Sequence, residues 1–265
     1  MRTLALIFAT SAVLLGQPNA NEIVRRSLTA ADRGWKARDT YKYVERDDER
    51  RLDSSGAVKS ESVDVSRVIF VNGNPFDETI GHNGGPPTPS EKRKDQEALR
   101  KLKSETPAER RARLEKEREN RDFIHEVPKA FNFRLIGQQQ VNGRTAYVLF
   151  ATPIPGYHAH SKYGKIFPKV NGKLWVDAQD YGWVRVEANV MEPFSMGLLA
   201  RIQRGSHIVF EQERVADGIW LPKRIEVRAT ARVFFFMNYA TDETITYSGY
   251  RPAQPSELAL AGQGK

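Results

Sequence analysis

Apolar residues recur at every second position over two long stretches in the C-terminal half of the chain. In 172–190, Leu174 and Val176 alternate with Lys173 and Asp177. After a turn at 178–182, Val184, Val186, Ala188 and Val190 alternate with Trp183, Arg185, Glu187 and Asn189. In 206–233 an Asp217-Gly218 turn precedes Ile225, Val227, Ala229, Ala231 and Val233, set between Arg224, Glu226, Arg228, Thr230 and Arg232. A period of two sends alternate side chains to opposite faces, so each stretch predicts a β-hairpin with one buried and one wet face. A third hairpin is predicted over 131–141 and 145–152, joined by Asn142-Gly143, and a last strand over 241–250. Nearer the N-terminus, 41–52 and 58–71 read as strands joined at 53–56, with a short segment at 75–80 after Asn72-Gly73. These strands are polar, and Glu45, Asp47, Asp48, Glu49, Arg50 and Arg51 crowd the first of them, which places the group at an edge or a solvent-facing flank of the sheet.

The period changes to 3.6 in two places. Val24, Leu28, Ala31 and Trp35 predict an amphipathic helix from a cap at Asn21 to about Arg38. After the Gly- and Pro-rich 81–90, the segment 90–126 is an insertion whose last 36 residues hold 12 Lys or Arg against 10 Asp or Glu. Thr106-Pro107-Ala108-Glu109 combines a cap, a first-turn proline and a reciprocal glutamate, so the insertion reads as a charged helical hairpin. Leu102, Leu114, Phe123 and Ile124 are its apolar anchors, which docks it at its ends. Residues 153–171 form a long loop. Phe194, Met196, Leu198, Leu199 and Ile202 make an apolar cluster within 192–202, expected as a short helix or turn, and 234–237 makes a second one.

The N-terminus changes the picture of where the protein works. One positive charge, an apolar run from Leu4 to Leu15 and a short stretch ending at Ala20 predict a cleavable signal peptide, residues 1–20, and a periplasmic mature chain. The absence of cysteine excludes disulfides, thiolate nucleophiles and zinc-thiolate sites. A formal charge of +8 points to anionic headgroups, with peripheral membrane contact, or to acidic partners. An exported protein offers no reason to expect nucleic acid.

Candidate chemistry is sparse. His158-Ala159-His160 has no identifiable third ligand, whereas catalytic zinc takes three protein ligands. There is no G-x-S-x-G elbow, no H-E-x-x-H, and Gly84-Gly85-Pro86-Pro87 lacks the context of a phosphate loop. Carboxylate pairs such as Asp47 with Asp48, or Glu211 with Glu213, read as exposed strand faces. The expectation is a non-enzymatic protein with no catalytic residue, metal or cofactor.

The segments LWVDAQDYGWVRVE and GIWLPKRIEV resemble the LolA/LolB-like periplasmic outer-membrane lipoprotein-sorting proteins, over roughly Asn21 to Tyr250. The resemblance implies an α+β fold: one strongly curved antiparallel half-barrel sheet covered by helices, spanning 21–252, with a disordered tail at 253–265. It also implies that the concave apolar face holds an acyl chain, so that the partner is a lipid or acylated lipoprotein bound by a monomer. The candidate lining is Val186, Ala188, Val190, Val227, Ala229, Ala231 and Val233, with Phe194, Leu198, Phe235 and Met237 at the mouth. Flexible methionine and aromatic side chains suit such a guest because they repack around it. The alternative is an envelope sensor or scaffold that meets a protein partner through the charged hairpin.

Overall fold

The computed structural model describes residues 19–53, 55–196, 200–233 and 237–259. The predicted signal segment falls almost wholly outside them, as do Leu198 and Phe235. The first helix, α1 (Ala20–Arg38), is capped by Asn19, whose side chain accepts the Glu22 N–H at 2.8 Å. Asn21 therefore lies in the first turn and is not the cap. Its buried face is Ile23, Val24, Ser27, Ala30 and Gly34, rotated by about one position from the stripe read in the sequence. Gly34 explains the rotation: a Cβ there would stand 2.5 Å from the Trp220 carbonyl oxygen, so the helix approaches the sheet on its smallest residue.

Ten strands form one antiparallel path. Its first half is β3 (Asn74–His82), β2 (Val58–Val71), β1 (Tyr41–Leu52), β12 (Met237–Pro252) and β11 (Ile219–Val233). It continues through β10 (His207–Ala216), β7 (Trp183–Val190), β6 (Val170–Asp177), β5 (Arg144–Pro153) and β4 (Phe131–Val141). A small hairpin, β8 (Phe194–Met196) with β9 (Ala200–Ile202), branches from β11. The terminal strands β3 and β4 do not pair, so the sheet is an open half-barrel of the expected α+β class.

Helix α1 lies across the strands. Ile23 and Val24 pack on Tyr147 and Leu149 of β5 and on Leu174 and Val176 of β6. Trp183 of β7 donates its indole N–H to Ser27 Oγ at 2.9 Å, Gly34 abuts Trp220 of β11, and the Arg38 guanidinium stacks on Tyr43 of β1 and Tyr247 of β12. Nineteen residues at about 1.5 Å each span roughly 28 Å, matching the roughly 29 Å of six strand spacings from β5 to β1.

Four expectations are corrected. The polar N-terminal strands do end the sheet, with β3 at its edge, but the charged strand β1 is interior, because β12, nearly two hundred residues away in sequence, pairs with its free side. Of the cluster expected as a short helix or turn, Phe194–Met196 and Ala200–Ile202 pair as strands β8 and β9, while Leu198 and Leu199 lie outside the described residues. The tail is docked as far as α5 (Pro255–Leu258), where Lys42 Nζ meets Glu257 at 2.8 Å and the Ala253 N–H donates to the Thr40 carbonyl. Finally, β6 is buried on both faces from Leu174 to Asp177. Trp175 packs with Val148, Val184 and Trp220, and Asp177 is 0 % exposed. Asp177 tolerates this depth because Arg144 grips both its oxygens, at 2.7 and 2.8 Å, and the Gln179 and Asp180 N–H groups donate to it. Burial pushes its carboxyl up, but these donors outweigh burial and hold it below the usual range.

The predicted helical hairpin is present as α2 (Pro89–Lys103) and α3 (Pro107–Arg121), each with a threonine capping box and neither with a buried residue. It docks through polar side chains along both helices and not through its predicted apolar ends alone, since the expected anchor Leu114 is exposed. Thr79 of β3 donates to Asp95, Arg113 to Asn74 at 2.9 Å, and Arg121 to Asp39 at 3.2 Å. A 3-10 turn (Asp122–Glu126) and the short α4 (Val127–Ala130) then return the chain to β4.

Candidate functional site

The register of the sheet aligns its inner face, the one beneath α1, into rows. One row runs Leu135, Leu149, Leu174, Val186, Phe210, Ile225 and Ile245 across seven strands. The next runs Phe133, Ala151, Gly172, Ala188, Ile208 and Val227. Small residues fill the middle of the second row, so the sheet is hollowed there. An apolar pocket of about 210 Å³ opens over it, walled by Phe131, Phe133, Ala151, Phe167, Val186 and Ala188 and roofed by Phe123 and Val127.

A second pocket, about 190 Å³, lies further along the same face between α1 and β11. Its walls are Ala31, Gly34, Trp35, Phe210, Trp220 and Leu221, with Arg38 and Gln212 as its polar members. Phe123 and Trp183 line both pockets. Phe123 is a predicted anchor of the charged insertion, whereas Trp183 was read on the wet side of its strand and is turned inward by a bulge that pairs it with Val176. The indole N–H of Trp220 is buried with no hydrogen-bond partner among the described residues, a local cost of roughly 1–3 kcal/mol.

One carboxylate holds the outer wall of the first pocket. Glu126, 9 % exposed, accepts from Tyr157 Oη at 2.6 Å, from the His160 N–H at 2.9 Å and from the Ser161 N–H at 2.7 Å. Burial opposes its ionisation, yet these hydrogen bonds bring its carboxyl down to about 2. The long loop 153–169 is thereby strapped to the 3-10 turn. Its Ile166 and Phe167 pack against Phe123 and Phe131, with the Phe131 and Phe167 ring centroids 5.3 Å apart.

The predicted lining residues divide. Val186 and Ala188 line the first pocket. Val190 and Phe194 join the adjoining cluster with Ala130, Phe131, Phe167 and Val170. Val227, Ala229 and Ala231 share the inner face by register but stand further across the sheet, and Val233 pairs with Met237 at the far end of β11. Sequence reasoning missed the aromatic contributors Phe131, Phe133 and Phe167, which belong to segments read as a plain hairpin and a loop.

Three donor groups converge elsewhere. Asp64, His82 and Glu91 bring one ligand atom each within 4.8 Å of one another, with His82 Nδ1 at 2.6 Å from Asp64 and 3.0 Å from Glu91. The surrounding hydrogen bonds do not suit a metal. Asn83 Oδ1 accepts the Val63 N–H, which leaves its Nδ2 to donate to His82 Nε2. The ring proton is therefore on Nδ1, directed at the carboxylates, so the group is a hydrogen-bonded tie between β2, β3 and α2. His158 and His160 were the sequence-predicted pair; His160 serves the Glu126 strap through its backbone. Asp47, read as exposed, lies half-buried on the inner face, opposite Ile245 and diagonal to Glu243.

No family model matches the chain, and no curated protein does. Among solved structures, the chain is similar to a LolA superfamily protein from Nitrosomonas europaea at 12% identity and a TM-score of 0.34, covering 91% of this chain and 97% of that one. It is similar to an outer membrane lipoprotein-sorting protein domain from Vibrio parahaemolyticus at 12% identity and 0.34, with 89% and 97% covered. It is also similar to a Pseudomonas aeruginosa MucA/MucB complex chain at 10% identity and 0.25, with 87% and 99% covered. The LolA-like likeness expected from the hairpins is thus found. At this level it says nothing of what the protein binds.

Proposed function

We propose that the protein is a non-enzymatic carrier that holds the acyl chain of a lipid or lipoprotein on the inner face of its half-barrel, in the periplasm to which its N-terminal segment would direct it. One observation carries the reading: two apolar pockets that share Phe123 and Trp183 in their lining lie beneath helices, one of them over a sheet row of small residues. Together they reach the lower part of the volume range of small-molecule sites. Each methylene buried there contributes about 0.8 kcal/mol, so affinity accrues with chain length and needs little hydrogen bonding.

The test is the intact mass of the chain purified natively from the periplasm, before and after organic extraction. A stoichiometric, extractable lipid supports the carrier and identifies its cargo. A ligand-free protein that also ignores added fatty acids and phospholipids defeats it. The scaffold reading draws on the α2–α3 hairpin, which has no buried residue on either helix and so keeps its surface for a partner. On that reading, removing only α2 and α3, which keeps Phe123 and Glu126 in place, abolishes partner capture and leaves lipid content unchanged.

A further inference from the structure

Carboxylates are spread along the chain with one long gap. All 33 Asp and Glu lie outside residues 127–176, a run of 50 residues that nevertheless holds seven Lys or Arg. The run makes up α4, β4, β5, the loop 153–169 and nearly all of β6, so it forms one contiguous end of the half-barrel. The α2–α3 insertion is the contrast, since it mixes 12 Lys or Arg with 10 Asp or Glu. There the charges neutralise one another, and here they carry a single sign.

Two of the seven cations are engaged from outside the run, Arg144 by Asp177 and Lys169 by Glu192. Lys129, Arg134, Lys162, Lys165 and Lys173 are exposed and form no ion pair among the described residues. The fold gathers them. Arg134 and Lys173 flank Phe150 in one row on the outer face of the sheet, three residues in from the starts of β4 and β6. Lys129 lies just before β4, and Lys162 and Lys165 stand on the loop. That loop ends in a 3-10 turn (Gly164–Lys169) packed against α4, β5 and β6, and its Ile154 N–H donates to the Ala130 carbonyl at 2.8 Å. Of the carboxylates flanking the patch, Glu126 is buried in its strap, Glu187 is held by Arg185 at 2.9 Å, and Asp122 is exposed. Among the lysines stands Tyr163, 43% exposed, with the Lys162 ammonium 5.4 Å from its ring centroid. The same ring lies 6.0 Å from that of Phe123, which roofs the first pocket, so the patch is continuous with the pocket wall.

We infer that this end of the half-barrel is the surface by which the protein docks on an anionic phospholipid bilayer, with Lys129, Lys162 and Lys165 among the headgroups and Tyr163 at their level. A net charge of +8 points to anions without saying where they bind; the run free of carboxylates supplies the place. Its composition selects the partner. Four of the five unpaired cations are lysines, point charges on flexible stems that suit a fluid layer of phosphates, whereas protein interfaces favour arginine and are depleted in lysine. An exposed tyrosine beside them fits the boundary between headgroups and hydrocarbon, where one end of the ring is wet and the other apolar. The docking surface stands apart from the carrier reading, although it would bring the first pocket to the source of its cargo.

The test is co-sedimentation of the chain purified from the periplasm with vesicles of phosphatidylcholine alone or of phosphatidylcholine mixed with phosphatidylglycerol. Binding is expected only to the mixed vesicles, and it should be lost toward about 1 M salt, where the screening length falls to about 3 Å. A lysine close to such a surface contributes about 1 kcal/mol, roughly fivefold, so a Lys129→Gln, Lys162→Gln, Lys165→Gln variant should bind on the order of a hundredfold more weakly. The control Lys92→Gln, Lys101→Gln, Lys116→Gln removes the same charge from α2 and α3 and should keep most of the binding. Circular dichroism establishes that each variant is folded. Binding that ignores phosphatidylglycerol, no binding to either vesicle, or a control that loses as much as the loop variant overturns the inference. Polyglutamate that binds where the mixed vesicles do not would also overturn it and give the face to an acidic protein. A chain that binds the mixed vesicles but carries no lipid keeps the docking surface and removes the carrier reading.

Discussion

Asp177 and Asp47 occupy strands of one sheet and meet opposite fates. Asp177 is fully buried, yet its carboxyl is held below the ordinary range by Arg144 and two backbone N–H groups. Asp47 is only half-buried, yet burial and the neighbouring Asp64 and Glu49 push it up, and one of its oxygens has no partner. Depth alone does not decide the state of a carboxylate; the donors that accompany it do. Around β5, β6 and β7 the buried Asp177 and Ser27 have partners, and the Trp220 indole N–H is the buried polar group there that lacks one among the described residues. Around β12, β1 and β2 the outer-face charges Arg46 with Asp48 and Arg50 with Glu61 pair, whereas inner-face Asp47 and Glu243 form no ion pair with Lys or Arg among the described residues.

The contrast can be broken first at its structural end. Arg144→Met strands Asp177 in the interior and is expected to cost about 3–5 kcal/mol in urea unfolding. A loss below about 1 kcal/mol would mean that the pair does not anchor the 178–182 turn. Leu149→Ala, at a fully buried position beneath α1, is expected to cost about 2–4 kcal/mol by the same measurement, as a cavity in a packed core does.

Glu126→Gln removes the negative charge that accepts the Tyr157, His160 and Ser161 donors, and should cost about 1–3 kcal/mol at neutral pH. The sign with pH follows from its lowered carboxyl. Its contribution is complete above the unfolded value of 4.5 and is lost as pH falls toward about 2. The gap between wild type and variant should therefore close as thermal unfolding is followed from pH 5 downward, and a gap that persists at pH 2 would remove the strap from this account.

The smallest effect carries the opposite sign. Because the Asp47 and Glu243 carboxyls are raised, the folded chain holds protons that the unfolded chain releases, and stability from these groups falls as pH rises past the ordinary carboxylate range. Asp47→Asn with Glu243→Gln should stabilise the protein at pH 7 by roughly 0.2–1 kcal/mol, the scale of a side-chain contact between neighbouring strands. It should also flatten the gain that wild type shows between pH 7 and pH 5. A melting temperature lowered by the double variant at pH 7 would mean that the acidic face is paired after all.

Much of the fold was legible locally. The hairpins of β4–β5, β6–β7 and β10–β11 announce themselves through alternation and through Asn142-Gly143 and Asp217-Gly218, and the two threonine capping boxes mark the charged hairpin. Val186 and Ala188 were found because they sit on the apolar side of a strongly alternating strand. Phe131, Phe167 and Trp183 were not, because a pocket wall is assembled from segments whose own periodicity carries no trace of the partner. The acidic face was misjudged for a similar reason. Alternation shows that Asp47 and Glu49 share a side of β1, but not that this side faces the helix.

What the sequence by itself determined is the local geometry: period two where the backbone is pleated, period 3.6 where it coils, turns where Asn-Gly and Asp-Gly accept positive φ. The tertiary structure decided the rest through one long-range pairing, β12 between β11 and β1. That pairing brings the charged N-terminal strands into register with the apolar C-terminal ones, and aligns Ile245 with Asp47 and Val227 with Glu243. Strand neighbours so distant in sequence are chosen by the burial of the whole face, a property that no single segment encodes.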